Sequence, residues 1–168
     1  MENKTEFWLR GPLEGIPILL NPIAACFLQV QAELREMLKD FPEEKLWVNP
    51  LGIASVGFHL NHLKGVMNRL FTYARGESLS VEQLSFLTLE ENPTGERIEL
   101  EQLLHDFDEE VKKSMDQLKN ENIDTLSLER KVGRKGLPST VMGLYIHSAE
   151  HSMRHLGQIL VTVKMVKN

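Results

Sequence analysis

His147, His151 and His155 recur at strict four-residue spacing in an apolar stretch near the C-terminus, and His59 and His62 lie in a second such stretch, so five of the chain's six histidines occupy two places. At about 3.6 residues per turn, a step of four advances only about 40° around a helix, which leaves the three C-terminal imidazoles on one face. That is how a helix presents ligands to a metal. Zinc and related first-row ions take imidazole nitrogens at about 2.0–2.1 Å, and a catalytic site commonly uses three protein ligands with a fourth position left for water. A four-residue pair supplies two of them from one helix, and a second helix must supply the third. The spacing leaves the choice open: His147 with His151, or His151 with His155, completed by His59 or His62. The competing reading makes the five rings packing residues. It is the weaker one, because protonated rings would repel one another and neutral buried rings would each need a partner for an N–H.

Helices must position these rings, and the apolar spacing supplies them. Asn21-Pro22 has the form of an N-cap followed by proline at the first helical position, and Ile23, Phe27, Val30, Leu34 and Met37 then step by four and three up to a stop at Phe41-Pro42. A second stripe runs Val56, Leu60, Leu63, Met67, Leu70 and Ala74 and closes on Gly76. His59, His62 and Val66 form the adjacent row, so the two histidines border the core. Ser80 to Glu90 reads as a short helix with a Ser80/Gln83 capping box and Leu84 and Leu87 inward, and Asn92-Pro93 and Gly95 then break the chain. The third long helix carries Leu100, Leu104, Phe107, Val111, Met115 and Leu118 and runs out near Asn120. A loop of about 17 residues with Gly133, Gly136 and Pro138 is longer than usual for a compact domain. The last helix, capped by Ser139 or Thr140, shows the stripe Val141, Tyr145, Ser148, Ser152, Leu156, Ile159, Val163 and Val166, with small residues that let neighbours approach its backbone.

No segment alternates with period two, and no repeat or low-complexity tract interrupts the pattern. The expectation is an all-α fold: a four-helix bundle with one extra short helix and a connection of more than 20 residues between the second and third long helices that can cross the bundle. Residues 1–168 form a single domain on this reading, with 1–20 as an N-terminal extension packed on the bundle. A net charge of −5 gives no electrostatic basis for nucleic-acid binding, and Arg130-Lys131 with Arg134-Lys135 reads as a solvated loop. The start of the chain lacks the form of a secretory signal. Its most apolar window, Ile16 to Leu28, is broken by Pro17, Asn21 and Pro22 and falls short of the roughly 20 residues of a membrane span, so a cytoplasmic location follows. Cys26, the only cysteine, falls on an apolar stripe as a buried, inert thiol.

The string His151-Ser152-Met153-Arg154-His155-Leu156-Gly157-Gln158-Ile159 resembles the C-terminal signature of the DinB/YfiT-like superfamily, in which a histidine pair four apart precedes Gly-Gln. The stretch Ser55-Val56-Gly57-Phe58-His59-Leu60-Asn61-His62-Leu63 is similar to that family's second-helix signature, where Ser-x-Gly is followed five residues after the glycine by a histidine. Placed residue by residue, the resemblance implies His62, His151 and His155 as metal ligands and leaves His59 and His147 as neighbours. It also implies the bundle with its crossover, a divalent ion (zinc or nickel, with iron or manganese as alternatives), and a homodimer. The family is distinct from the DNA polymerase that shares its name.

Three neutral imidazoles would leave such an ion its full charge for Lewis-acid work. Members of the resembling family include thiol-dependent transferases, so the resemblance implies a metal-dependent hydrolase, or a transferase using a low-molecular-weight thiol, acting on a small molecule. The rival from another class is a non-catalytic metal-binding bundle with a stress-associated binding or structural role. His59, His147 and Gln158 read as residues that hold the ligands, with His59 or His147 as the alternative general base. Asn61 and Glu150 are rotated off the ligand face, His105 is solvated, and Tyr73 and Tyr145 pack. Trp47 and the Gly133 to Pro138 loop could together rim a pocket at one end of the bundle.

Overall fold

A computed structural model describes residues 5–90 and 98–167 of the chain; the expected break at Asn92-Pro93 and Gly95 lies outside them. Pro22 in the first turn and the buried Ile23, Phe27, Val30 and Leu34 build α1, Asn21–Leu38. Asn21 does not cap it as expected. Its side chain turns back, accepting from the Leu13 N–H at 2.6 Å and donating to the Ile16 and Pro17 carbonyls at 3.0 and 3.1 Å, which ties the preceding segment to the helix. Ser55 caps α2, Val56–Ala74, by accepting the Phe58 N–H at 3.1 Å, and Gly76 ends it with a left-handed φ of 78° that only glycine adopts freely.

The capping box of Ser80 and Gln83 forms as expected at the start of α3, Val81–Leu89, with its two bonds at 3.2 and 2.8 Å. Its inward face is a correction. Leu84 and Leu87 are exposed, and Gln83, Phe86 and Glu90 face inward. The cause is the surface beneath: α3 lies over Asn68 and Thr72 of α2, whose polar atoms take the Gln83 amide N–H at 2.5 and 2.8 Å.

The remaining long helices are α4, Leu100–Lys119, and α5, Val141–Lys167, the latter started by Thr140, whose hydroxyl accepts the Gly143 N–H at 3.0 Å. Both α1 and α2 pack against α4 and also against α5. The core between them centres on Phe27, Phe71 and Tyr145, with ring centroids 5.8 Å apart for the first pair and 4.9 Å for the second. No described helix is long and apolar enough to cross a membrane. Cys26 is half-buried, and burial raises its thiol pKa, which keeps it protonated.

The all-α expectation is corrected by a two-stranded ribbon. β1, Glu129–Val132, pairs antiparallel with β2, Leu137–Thr140, in the register Glu129 with Thr140 to Val132 with Leu137. The turn between them uses Gly133 at φ 67° and Gly136 at φ 59°. No apolar alternation announced it because neither strand contains a buried residue. Arg130 donates from Nε to the Ala74 carbonyl at 2.7 Å, fixing the ribbon to the C-terminal end of α2. Trp47 lies at the other end of that helix, under Gly57, with its Nε1 donating to the Ile98 carbonyl at 3.2 Å. Some 17 residues separate the two places along α2, about 26 Å, so the expected shared pocket rim is not formed.

A Cβ built at Gly57 would meet the Trp47 ring at 2.8 Å, and the ring is tethered by its indole bond. Gly57→Ala is expected to destabilise the fold by about 1–3 kcal/mol of overpacking, offset only in part by alanine's helix preference of about 1 kcal/mol. Urea unfolding followed by tryptophan emission measures it; an equal or raised midpoint would contradict the packing described.

Candidate metal centre

Packing of α2 against α5 sets two histidine rows against each other. His62 Nε2 lies 3.1 Å from His151 Nε2, and His59 Nδ1 lies 2.8 Å from His155 Nδ1. One nitrogen from each of His62, His151 and His155 falls within 4.8 Å of the others, and these three could hold a metal ion. Ring centroids of His151 and His155 are 4.5 Å apart, and those of His62 and His155 are 4.8 Å apart. His147 stays at the margin: its side chain is 52% exposed, its Nδ1 is 3.5 Å from Glu150 Oε2, and its ring centroid is 5.5 Å from that of His151.

The sequence reading missed the group that fixes His62. Glu90, 3% exposed at the end of α3, accepts the His62 Nδ1–H on Oε2 at 2.7 Å. Its other oxygen accepts from Arg69 Nη1 at 2.5 Å. A buried carboxylate demands such partners, and this one has an imidazole N–H on one side and a guanidinium on the other. Gly65, between His62 and Arg69 on the same side of α2, makes the space. A Cβ there would overlap the Glu90 carboxylate and come within 2.6 Å of the Phe86 ring and 2.8 Å of the Arg69 guanidinium. The bond also fixes the tautomer, since Nδ1 carrying the proton leaves the Nε2 lone pair bare toward His151.

His59 plays the matching part for His155. The two Nδ1 atoms share one hydrogen bond, and when His155 donates, its Nε2 is free. Burial pushes His59 down to about 4, helped by the charge His62 would carry. His151 is likewise lowered to about 4, by burial and then by His62 and His147. His155 falls to about 3, by burial and then by His151 and His62. At neutral pH these rings are uncharged and keep lone pairs, the form that binds metal.

The donor set fits an ion. Two ligands on a tetrahedral centre at about 2.0–2.1 Å stand about 3.3 Å from each other, close to the His62 and His151 separation. His151 Nδ1, the ring nitrogen that does not face His62, is buried without a hydrogen-bond partner among the described residues. Gln158 is exposed and makes no bond to the cluster, against its expected supporting role. Glu150 pairs with Arg154 and His147 away from the nitrogens, and His105 is exposed on α4, both as expected. The Tyr145 hydroxyl is taken up by Glu121 and Gln117, and Tyr73 packs on the core.

The depressed histidines set a pH dependence for the metal-free chain. Above about pH 6.5 both folded and unfolded states hold these rings neutral; below it the unfolded chain takes up protons that the folded chain refuses until about pH 3–4, so stability falls with pH across that window. The thermal midpoint of the metal-free chain is expected to be flat from pH 8 to 6.5 and to drop toward pH 4. In the double variant His59→Asn, His155→Asn the drop should be shallower; an equally steep limb would show that these rings are not its source.

The family model of the DinB superfamily matches residues 27–159, a span that begins in α1, ends in α5 and contains every histidine of the cluster. No curated protein sequence matches the chain.

Proposed function

The chain belongs to the DinB superfamily, and from that membership and the imidazole cluster we propose that it is a divalent-metal enzyme with His62, His151 and His155 as ligands. The observation that carries the reading is the pair of outer supports: Glu90 holds His62 by Nδ1 and His59 holds His155 by Nδ1, which leaves Nε2 of both rings free in a group whose three offered nitrogens lie within 4.8 Å of one another. On this reading the four long helices are the family's four-helix bundle, and the segment through α3 is its crossover. When bound, a zinc or nickel ion supplies a Lewis acid that lowers the pKa of a water or thiol and polarises a carbonyl. That suits a hydrolase or a low-molecular-weight-thiol transferase acting on a small molecule.

The chain's own residues divide the remaining work. Arg69 holds Glu90 in place, and the Phe58 ring stacks on His62 at 5.3 Å and 13°, restricting its rotation. His147 is the favoured general base over His59, because His59 already spends Nδ1 on His155 whereas His147 is half in solvent beside His151. The alternative, a closed structural site, needs a fourth protein ligand. His59 is the nearest, and its engaged Nδ1 speaks against it.

Metal content by elemental analysis tests the ligand set. His62→Ala, His151→Ala and His155→Ala are each expected to abolish stoichiometric metal, Glu90→Gln and His59→Asn to weaken it by about 10- to 100-fold, and His147→Ala to keep it. Native metal content in all three ligand variants would overturn the assignment. A thermal-shift screen of the metal-loaded chain against bacillithiol, mycothiol, glutathione and a panel of esters and amides separates the two chemistries. Stabilisation of about 2.7 kcal/mol is expected for a ligand present at a hundred times its dissociation constant. A thiol shift that disappears on chelation supports the transferase, and a shift confined to esters or amides supports the hydrolase.

A further inference from the structure

Beside Glu90, residues of α2, α3 and α4 line an open cavity of about 370 Å³, within the range of small-molecule sites. Two of its lining residues are buried and carry opposite charge: Arg69, its side chain 10% exposed, and Glu110, its side chain 8% exposed. They do not pair with each other. Of the five N–H donors of a guanidinium, Arg69 uses one among the described residues, Nη1 on Glu90. Glu110 accepts on Oε1 from the Asn68 amide at 3.0 Å, and its nearest cation is the Lys113 ammonium, 3.9 Å from Oε2 at the end of an exposed side chain. Lys64, the other lining cation, is already neutralised by Asp106 at 2.8 Å and lies over the Phe86 ring.

Burying a charge without a full complement of partners is costly, and the cavity wall does so twice with opposite signs. We propose that this cavity binds a small aminocarboxylate zwitterion, with its carboxylate on the free edge of Arg69 and its ammonium on Glu110. A simple anion would meet Glu110 with Glu82 and Glu109 nearby, and a simple cation would meet Arg69. Only a molecule carrying both charges matches both walls. Burial raises the Glu110 carboxyl pKa, in keeping with a carboxylate that lacks a close counter-charge. Asn68 is held in orientation by Gln83 at 2.5 Å, so the amide that marks the ammonium end is fixed before any ligand arrives. Arg69 belongs to this cavity and to the support of His62 alike. The proposal itself requires no metal.

The test is calorimetric titration of the metal-stripped full chain with glycine, β-alanine, γ-aminobutyrate and 5-aminopentanoate, with butyrate and butylammonium as single-charge controls. One zwitterion of the series is expected to bind at least about tenfold tighter than either control, with amide shifts confined to α2, α3 and α4. Glu110→Gln, which keeps the Asn68 contact, is expected to lose about tenfold for that compound and nothing for butyrate. Controls that bind as well as every zwitterion, or shifts that map elsewhere, would overturn the proposal. Because the length series is read on the unmodified chain without metal, its failure leaves the metal reading standing, and loss of metal in the histidine variants leaves this one standing.

Discussion

The placing of His62, and of α3 over it, depends on one buried carboxylate. Glu90 is removed from water, and its two oxygens are taken by His62 and Arg69 at 2.7 and 2.5 Å. Removing either partner would leave a desolvated charge, a loss of several kcal/mol in comparable settings, about 3–5. The constraint reaches backward into the sequence. It explains why α2 has a glycine at position 65, where any side chain would fill the carboxylate's place, and why α3 turns a glutamine, an aromatic ring and an acid inward while leaving its leucines in solvent. A helix only nine residues long, with no fully buried residue of its own, is fixed on the protein by polar bonds to α2.

The same carboxylate explains an asymmetry within the cluster. His62 is held by a charged acceptor, His155 by another neutral ring, and His151 by neither. A carboxylate partner makes an imidazole the more basic ligand, and a neutral partner chiefly fixes its orientation. Three rings of one chemical type are therefore held in three different ways. Burial first, and then the charge their neighbours would carry, lowers His59, His151 and His155 into the neutral form.

Local rules made much of this legible. Four- and three-residue apolar steps located the four long helices, Ser80 with Gln83 marked the start of α3, Gly76 marked the end of α2, and Thr140 was one of two caps expected for α5; the Ser55 cap of α2 went unread. The grouping of His62, His151 and His155 came from the motif resemblance; spacing alone offered four combinations. Glu90 was hidden because its meaning is tertiary: nothing in residues 80–90 announces a partner 28 positions earlier in the chain. Leu84 and Leu87 misled because periodicity identifies an apolar face without saying whether the surface beneath is apolar, and here it is Asn68 and Thr72. The ribbon escaped because alternation reports one-sided burial, and a ribbon with no buried residue has none to report. Asn21 had the right neighbours for a cap and made a different set of bonds.

The ribbon fixed to the end of α2 by Arg130 has a geometric consequence. β2 runs straight into α5, so one short hairpin ties the last residue of α2 to the first of α5, as a spacer sets the offset of two antiparallel rods. Counted from those ends, His62 lies twelve residues back from Ala74 and His151 ten residues on from Val141, about 18 and 15 Å along the two axes. His59 and His155 lie fifteen and fourteen residues away, about 22 and 21 Å. The levels agree to within about 3 Å in the pairs that touch, a gap that the side chains span. Sliding one helix past the other by a single residue would shift one histidine row against the other by about 1.5 Å, about half the 2.8 and 3.1 Å that separate the touching nitrogens. A solvent-facing hairpin with no reactive group near the imidazoles is thus a ruler for them, and its length is part of the site.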